Sequence, residues 1–284
     1  MKIKFGILTL EQIEKLKNSN SKLLYKLQAE LTDYAKVLGC TSIKRLNSDQ
    51  EFGPYWIFPS GLSSRSITGY KQTYGTKLEN NTIGTRPTVS FSSIEKLCKT
   101  VTTSPIEKCT FGELPQTFAK AEVEKELEEL YINRELKETG RTFTRDISSL
   151  FCSNDICLYP IKEYEYKGKK YVRVNKFPNK YGFNINNMED GIEFTPSYWI
   201  EVEPITWLID RDNDLAISEK IILSGIMFDN RNLELDQYKK YPSILELYLN
   251  HYFKNEIGIK ELIDEQEKDY FKYVAFVSRL FQKL

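Results

Sequence analysis

Two apolar runs separated by four polar residues constrain this chain more than any other feature. Tyr198–Asp210 and Leu215–Leu223 are rich in Ile, Val, Leu and Trp, and Arg211-Asp212-Asn213-Asp214 stands between them. β-branched and aromatic residues suit a pleated backbone, whereas Asp and Asn turn the chain by bonding to their own backbone. The pattern predicts a hairpin too apolar for the surface, and therefore a hairpin within the core sheet.

The rest of the chain alternates helical and extended signals. Residues 3–8 read as a short strand. Thr9 and Gln12 form a capping-box signature for a helix to about Lys17. A second helix is expected after Ser21, since Leu24, Leu27, Leu31, Tyr34, Ala35 and Leu38 recur at helical spacing, with Gly39 as its stop. Tyr55–Phe58, Ser66–Tyr74 and Thr85–Phe91 read as short strands between long loops, and Cys109–Gly112 as another. Phe118–Lys137 reads as an amphipathic helix ended by Thr139-Gly140. Tyr164–Val174 reads as a hairpin turning at Gly168, residues 175–195 as loop, and 243–255 and 259–282 as helices.

Composition narrows function by exclusion. Lys plus Arg equals Asp plus Glu at 40 each, which argues against whole-surface binding to a nucleic-acid backbone. No apolar run reaches the ~20 residues that span a bilayer, and the first ten residues lack a signal-peptide core. The cytoplasm is therefore the expected compartment, with no membrane partner. Five cysteines at irregular spacing fit reduced thiols there.

Motifs for chemistry are sparse. His251 is the only histidine, which leaves no His-rich metal site and makes a structural role the simpler reading. Cys152 and Cys157 have no second pair at zinc-ligand spacing, and Cys40, Cys98 and Cys109 supply none. Asp210, Asp212 and Asp214 alternate as a calcium loop begins, but Leu215 and Ile221 stand where Gly and Glu are needed. No phosphate-cradling glycine run occurs. No cofactor and no metal is expected.

Two segments carry binding-surface chemistry. Tyr55, Trp56, Arg65, Tyr70, Tyr74 and Arg86 place aromatic and Arg side chains on irregular backbone within or near loops 52–82. The competing reading makes Trp56 and Arg86 internal supports of the fold. Lys167, Lys169, Lys170 and Arg173 interleave with Tyr164, Tyr166 and Tyr171 on the second hairpin, which suits single-stranded RNA, or else an ordinary solvated hairpin. Glu201, Glu203 and Tyr198 are the residues on which a carboxylate-based enzyme would rest, against the plainer reading of a solvated strand face.

Several phrases resemble a bacterial domain family of uncharacterised function with a C-type-lectin-like fold, the fold also used by formylglycine-generating enzymes. Its opening phrase is similar to Phe111-Gly-Glu-Leu-Pro-Gln116, and its strand pair to Glu203–Asp210 with Leu215–Glu219. Its closing phrases are similar to Tyr55–Ser60 and Ile83–Val89. Phe58 and Leu114 depart from the pattern, and the cysteines that act in formylglycine-generating enzymes have no match. The closing half precedes the opening half here, which implies a circular permutation with 83–91 beside 107–114 in one sheet.

The expected fold is α+β: a twisted, mostly antiparallel sheet with flanking helices. Residues 1–116 would form the first half of the domain, 117–197 an insertion, and 198–284 the second half. The expected function is non-enzymatic recognition of another protein or protein complex. A phage- or mobile-element-borne inhibitor of a host defence complex is one concrete form.

Overall fold

A computed structural model describes residues 3–44, 50–58, 65–69, 72–75, 82–99, 101–102, 105–146, 158–175, 197–226, 228 and 242–259. In chain order it contains β1 (Phe5–Ile7), α1 (Leu10–Asn18), a 3-10 turn (Lys22–Lys26), α2 (Asp33–Val37), β2 (Ile43–Lys44), β3 (Glu51–Phe52) and β4 (Tyr55–Ile57). Then come β5 (Arg65–Gly69), β6 (Gln72–Gly75), β7 (Pro87–Ser90), α3 (Phe91–Ile94), a 3-10 turn (Glu95–Leu97), β8 (Val101–Thr102) and β9 (Glu107–Phe118). The later elements are α4 (Ala121–Ile132), β10 (Lys137–Asp146), β11 (Leu158–Tyr166), β12 (Lys169–Asn175), β13 (Ser197–Asp210) and β14 (Leu215–Ser218). A helical stretch follows as α5 (Ile244–Tyr248), a π turn (Leu249–Phe253) and α6 (Lys254–Glu256). The C-terminal helix expected at 259–282 lies outside the described residues, apart from Ile259.

Nine strands form one sheet around β13, and every pairing between named strands is antiparallel. One edge of β13 carries β12, β11 and β10 along its first half and β14, β7 and β1 along its second. The other edge carries β9, which in turn holds β8. Ile205, Trp207 and Ile209 enter one buried cluster with Phe5, Phe111 and Phe253. Leu208, Leu215 and Ile217 enter another with Leu16, Leu27 and Ile221. Burial on both faces is why the predicted core hairpin is continuously apolar rather than alternating.

Local signals behave as expected where local bonds decide. The Thr9 hydroxyl accepts from the Gln12 amide at 3.0 Å, and the Gln12 side chain accepts from the Thr9 amide at 2.8 Å. Gly39 follows α2 with φ of 99°, a conformation that costs glycine little. The 164–174 hairpin turns through Lys167 and Gly168, both at positive φ, as a two-residue turn requires.

Three expectations fail. The helix expected from Ser21 to Leu38 is broken. The Thr32 amide donates to the Ile221 carbonyl at 3.0 Å, and its hydroxyl caps α2 by accepting from Ala35 at 3.1 Å, so backbone pairing outcompetes apolar spacing. The helix expected to run to Lys137 ends at Ile132, and Thr139-Gly140 is a register shift inside β10 rather than a helix stop. The threonine-rich 137–146 stretch suits a strand paired on β11. Finally, the permuted order required 83–91 beside 107–114. They share the sheet, but β14 and β13 lie between β7 and β9. β7 is already flanked by β1 and β14, and β9 by β8 and β13, so no edge is left for them to meet. Strands β10 to β12, from the segment read as an insertion, continue this same sheet.

The three-stranded sheet β4-β5-β6 is separate. Its root passes Gly84, whose amide donates to Pro54 at 2.9 Å and whose carbonyl accepts from Trp56 at 3.0 Å. A Cβ at Gly84 would stand 2.3 Å from Ile221 Cγ2 and 2.9 Å from Cys40 Sγ. Gly84→Ala is expected to cost about 1–3 kcal/mol through overpacking, read from the urea unfolding midpoint.

Candidate functional site

Tyr55, Trp56 and Arg86, read from sequence as surface candidates, are fully buried. The Tyr55 hydroxyl donates to the Leu27 carbonyl at 2.7 Å. Arg86 donates through Nε to the Ser218 carbonyl at 2.7 Å and through Nη1 to Lys26 and Leu27 carbonyls at 2.8 and 3.3 Å. Its Nη2 reaches the Glu219 carbonyl at 3.4 Å. Trp56 lies against Phe228, ring centroids 5.7 Å apart. These three are internal supports. Arg86, from one quoted motif, fastens Ser218-Glu219, from another. Arg65 and Tyr74 lie on β5 and β6, and Tyr70 lies outside the described residues.

The basic hairpin is not an open cationic patch. Lys167 pairs with Glu126 at 2.7 Å, Lys169 with Glu201 at 2.6 Å, and Lys170 with Glu113 at 2.8 Å. Arg173 pairs with Glu128 at 2.8 Å and lies 4.7 Å from the Tyr131 ring centroid. Glu128 also accepts from the Trp199 indole at 2.8 Å, so Arg173 helps hold α4 on the sheet. Tyr164 and Tyr171 are buried in that packing with Trp199 and Leu127. Sequence reasoning counted the cations correctly and missed their anions, which come from α4, β9 and β13.

Glu201 and Glu203 do not form an acid–base pair. Glu201 is held by Lys169, and Glu203 accepts from the Thr117 hydroxyl at 2.5 Å. Tyr198 packs on Phe118, centroids 5.1 Å apart. The carboxylates of the acidic turn are already engaged: Asp210 accepts locally from the Asn213 amide at 3.0 Å, and Asp214 accepts from the Ser92 amide, remote in sequence, at 2.7 Å. No group of three or more His, Cys, Asp or Glu placed to hold a metal occurs among the described residues. His251 lies in the π turn, and Cys152 and Cys157 lie outside the described residues.

Two features lacked any sequence signal. The first is a buried polar cluster around Glu256. Its Oε1 accepts from the Thr144 amide at 2.7 Å and from the Thr144 hydroxyl, while Oε2 is buried without a partner. The Tyr34 hydroxyl is also buried without a partner. Burial pushes the Glu256 carboxyl up to about 7, although Thr144, Arg141 and Tyr248 favour its charged form. Burial, reinforced by the Glu256 charge, likewise pushes the Tyr34 phenol well above its ordinary range. The second feature is the contact between Cys98 and Cys109, whose sulfurs are 2.7 Å apart.

No family model, curated protein or solved structure matches the chain. No helix among the described residues is long and apolar enough to cross a membrane.

Proposed function

We propose that this chain is a recognition protein whose partner is another protein, and that strands β5 and β6 with the sequence that adjoins them are the recognising element. The observation that carries the proposal is a fixed root beneath a separate small sheet. β4 is fully buried at Tyr55, Trp56 and Ile57, and the Arg86 bonds fasten the backbone around it. A recognition element on an immobilised base loses less entropy when it binds. Among the described residues, β6 pairs with β5 alone, which leaves an edge suited to strand addition by a partner. An inhibitor of a host defence complex, carried by a phage or mobile element, is the concrete form of the proposal.

RNA recognition through 164–174 is the weaker proposal, because each named cation there already has a carboxylate partner. A specific observation supports a second reading, a carboxylate-based enzyme. It is Glu256, beside the unpartnered Tyr34 hydroxyl, and it replaces Glu201 and Glu203 as the site such an enzyme would use.

The test is affinity purification from bacterial lysate with mass spectrometry of what is retained. A triple variant, Arg65→Ala, Tyr70→Ala and Tyr74→Ala, serves as control after its melting temperature is shown to match the parent. A specific protein retained by the parent and weakened at least about tenfold by the variant is the expected result. Equal retention by both would refute the assigned surface. Absence of any specific macromolecule would refute the recognition proposal itself.

A further inference from the structure

Cys98 and Cys109 are built into contact by backbone that is fastened on both sides. Their sulfurs are 2.7 Å apart, against about 2.05 Å in a disulfide. Both thiols are free in the structure. The Cys98 amide donates to the Ile94 and Glu95 carbonyls at 3.2 and 3.3 Å, and the next amide, Lys99, donates to Thr110 on β9 at 3.1 Å. Cys109 sits inside β9, paired with Trp207 on one side and Val101 on the other. The turn before Cys98 is tied down by Arg211, which bonds Glu95 at 2.8 Å and Glu107 at 2.7 Å and lies 4.5 Å from the Phe91 ring centroid. Closing a covalent bond therefore needs little movement of either chain segment. Cys109 is buried and Cys98 half-buried, so Cys98 is the thiol that a dissolved oxidant meets first.

We propose that Cys98 and Cys109 are a reversible thiol–disulfide pair, oxidised by a low-molecular-weight disulfide such as oxidised glutathione. Cys98 Sγ, as thiolate, attacks one sulfur of the oxidant. The oxidant's S–S bond breaks, and the departing thiolate takes up the proton that Cys98 lost. Cys109 Sγ then attacks Cys98 Sγ, the mixed bond breaks, and the second small thiolate leaves with the Cys109 proton. Two protein thiols are oxidised by two electrons while one small disulfide is reduced to two thiols. Burial holds both thiols above their ordinary range, so the exchange is slow at neutral pH and quickens as pH rises. The bond ties the end of the Glu95–Leu97 turn to β9 across a short loop, which restricts the unfolded chain.

The test incubates the folded protein with oxidised glutathione at about pH 7 and about pH 9, then blocks thiols and maps peptides without reduction. The expected result is loss of two of the five thiols, a peptide joining Cys98 to Cys109, and full reversal by dithiothreitol. Formation is faster at the higher pH, and the oxidised protein melts at a higher temperature. Cys109→Ser should instead retain a glutathione adduct on Cys98. A persistent adduct on Cys98 of the parent protein, a cross-link elsewhere, or retention of all thiols would each overturn the proposal.

Discussion

Replacing Arg86 with leucine is expected to destabilise the fold by about 3–5 kcal/mol, because the substitution leaves buried carbonyl groups without donors. Arg86 is fully buried and serves three segments at once: Lys26 and Leu27 at the end of the first 3-10 turn, Tyr55 on β4, and Ser218-Glu219 at the end of β14. The planar guanidinium can address these acceptors together, whereas an ammonium is a point donor. Arg86→Lys is therefore expected to recover only part of the loss. Urea unfolding measures both variants, with an unchanged slope showing that stability rather than denatured-state compactness has moved. A double-mutant cycle with Tyr55→Phe should show coupling, since Arg86 Nη1 and the Tyr55 hydroxyl are 3.4 Å apart and share the Leu27 carbonyl. Unfolding of Arg86→Leu at the parental midpoint would show that these bonds contribute nothing.

The same residue marks where sequence reading stops. Trp56 and Arg86 have the chemistry of a binding surface and of a core clamp, and their neighbours in sequence do not distinguish the two. What decides for Arg86 is contact with backbone carbonyls 59 to 133 positions away, which pairing of β7 with β14 helps to bring together. Features set by adjacent residues were legible: the Thr9–Gln12 capping box, the Lys167-Gly168 turn, and the apolar hairpin of β13 and β14. Features set by remote backbone were not. The apolar spacing from Leu24 to Leu38 is real, yet Leu31 bridges to Ile221 and the helix divides there. The hairpin lysines looked free because Glu126, Glu113 and Glu201 come from other elements. Arg65 and Tyr74 lie on two strands, β5 and β6, where the sequence pattern predicts one strand from Ser66 to Tyr74.

Glu256 supplies the largest expected response to pH. Its neighbours are Arg141 and Thr144 on β10, Tyr248 and Tyr252 on the helical stretch, and Tyr34 on α2, whose phenol also feels the Arg145 charge. Burial raises its carboxyl from the ordinary 4.5 to about 7. Between those values the folded chain binds a proton that the unfolded chain has released. Stability therefore falls as pH rises through this window, and the contribution of Glu256 is lost once pH passes about 7. The span corresponds to about 3 kcal/mol. Tyr252, pushed up to about 12, and Tyr34, pushed higher still, stay neutral throughout, so these phenols do not account for the slope. Glu256→Gln imitates the neutral acid and keeps an oxygen for the Thr144 amide. It is expected to match the parent near about pH 5 and to exceed it by about 2 kcal/mol near about pH 8, in urea unfolding at both. Parallel pH profiles for the two proteins would show that Glu256 is ionised at no cost in the folded state. A steeper fall in the parent would instead establish a buried proton beside Tyr34, the condition that the carboxylate-based reading of this site requires.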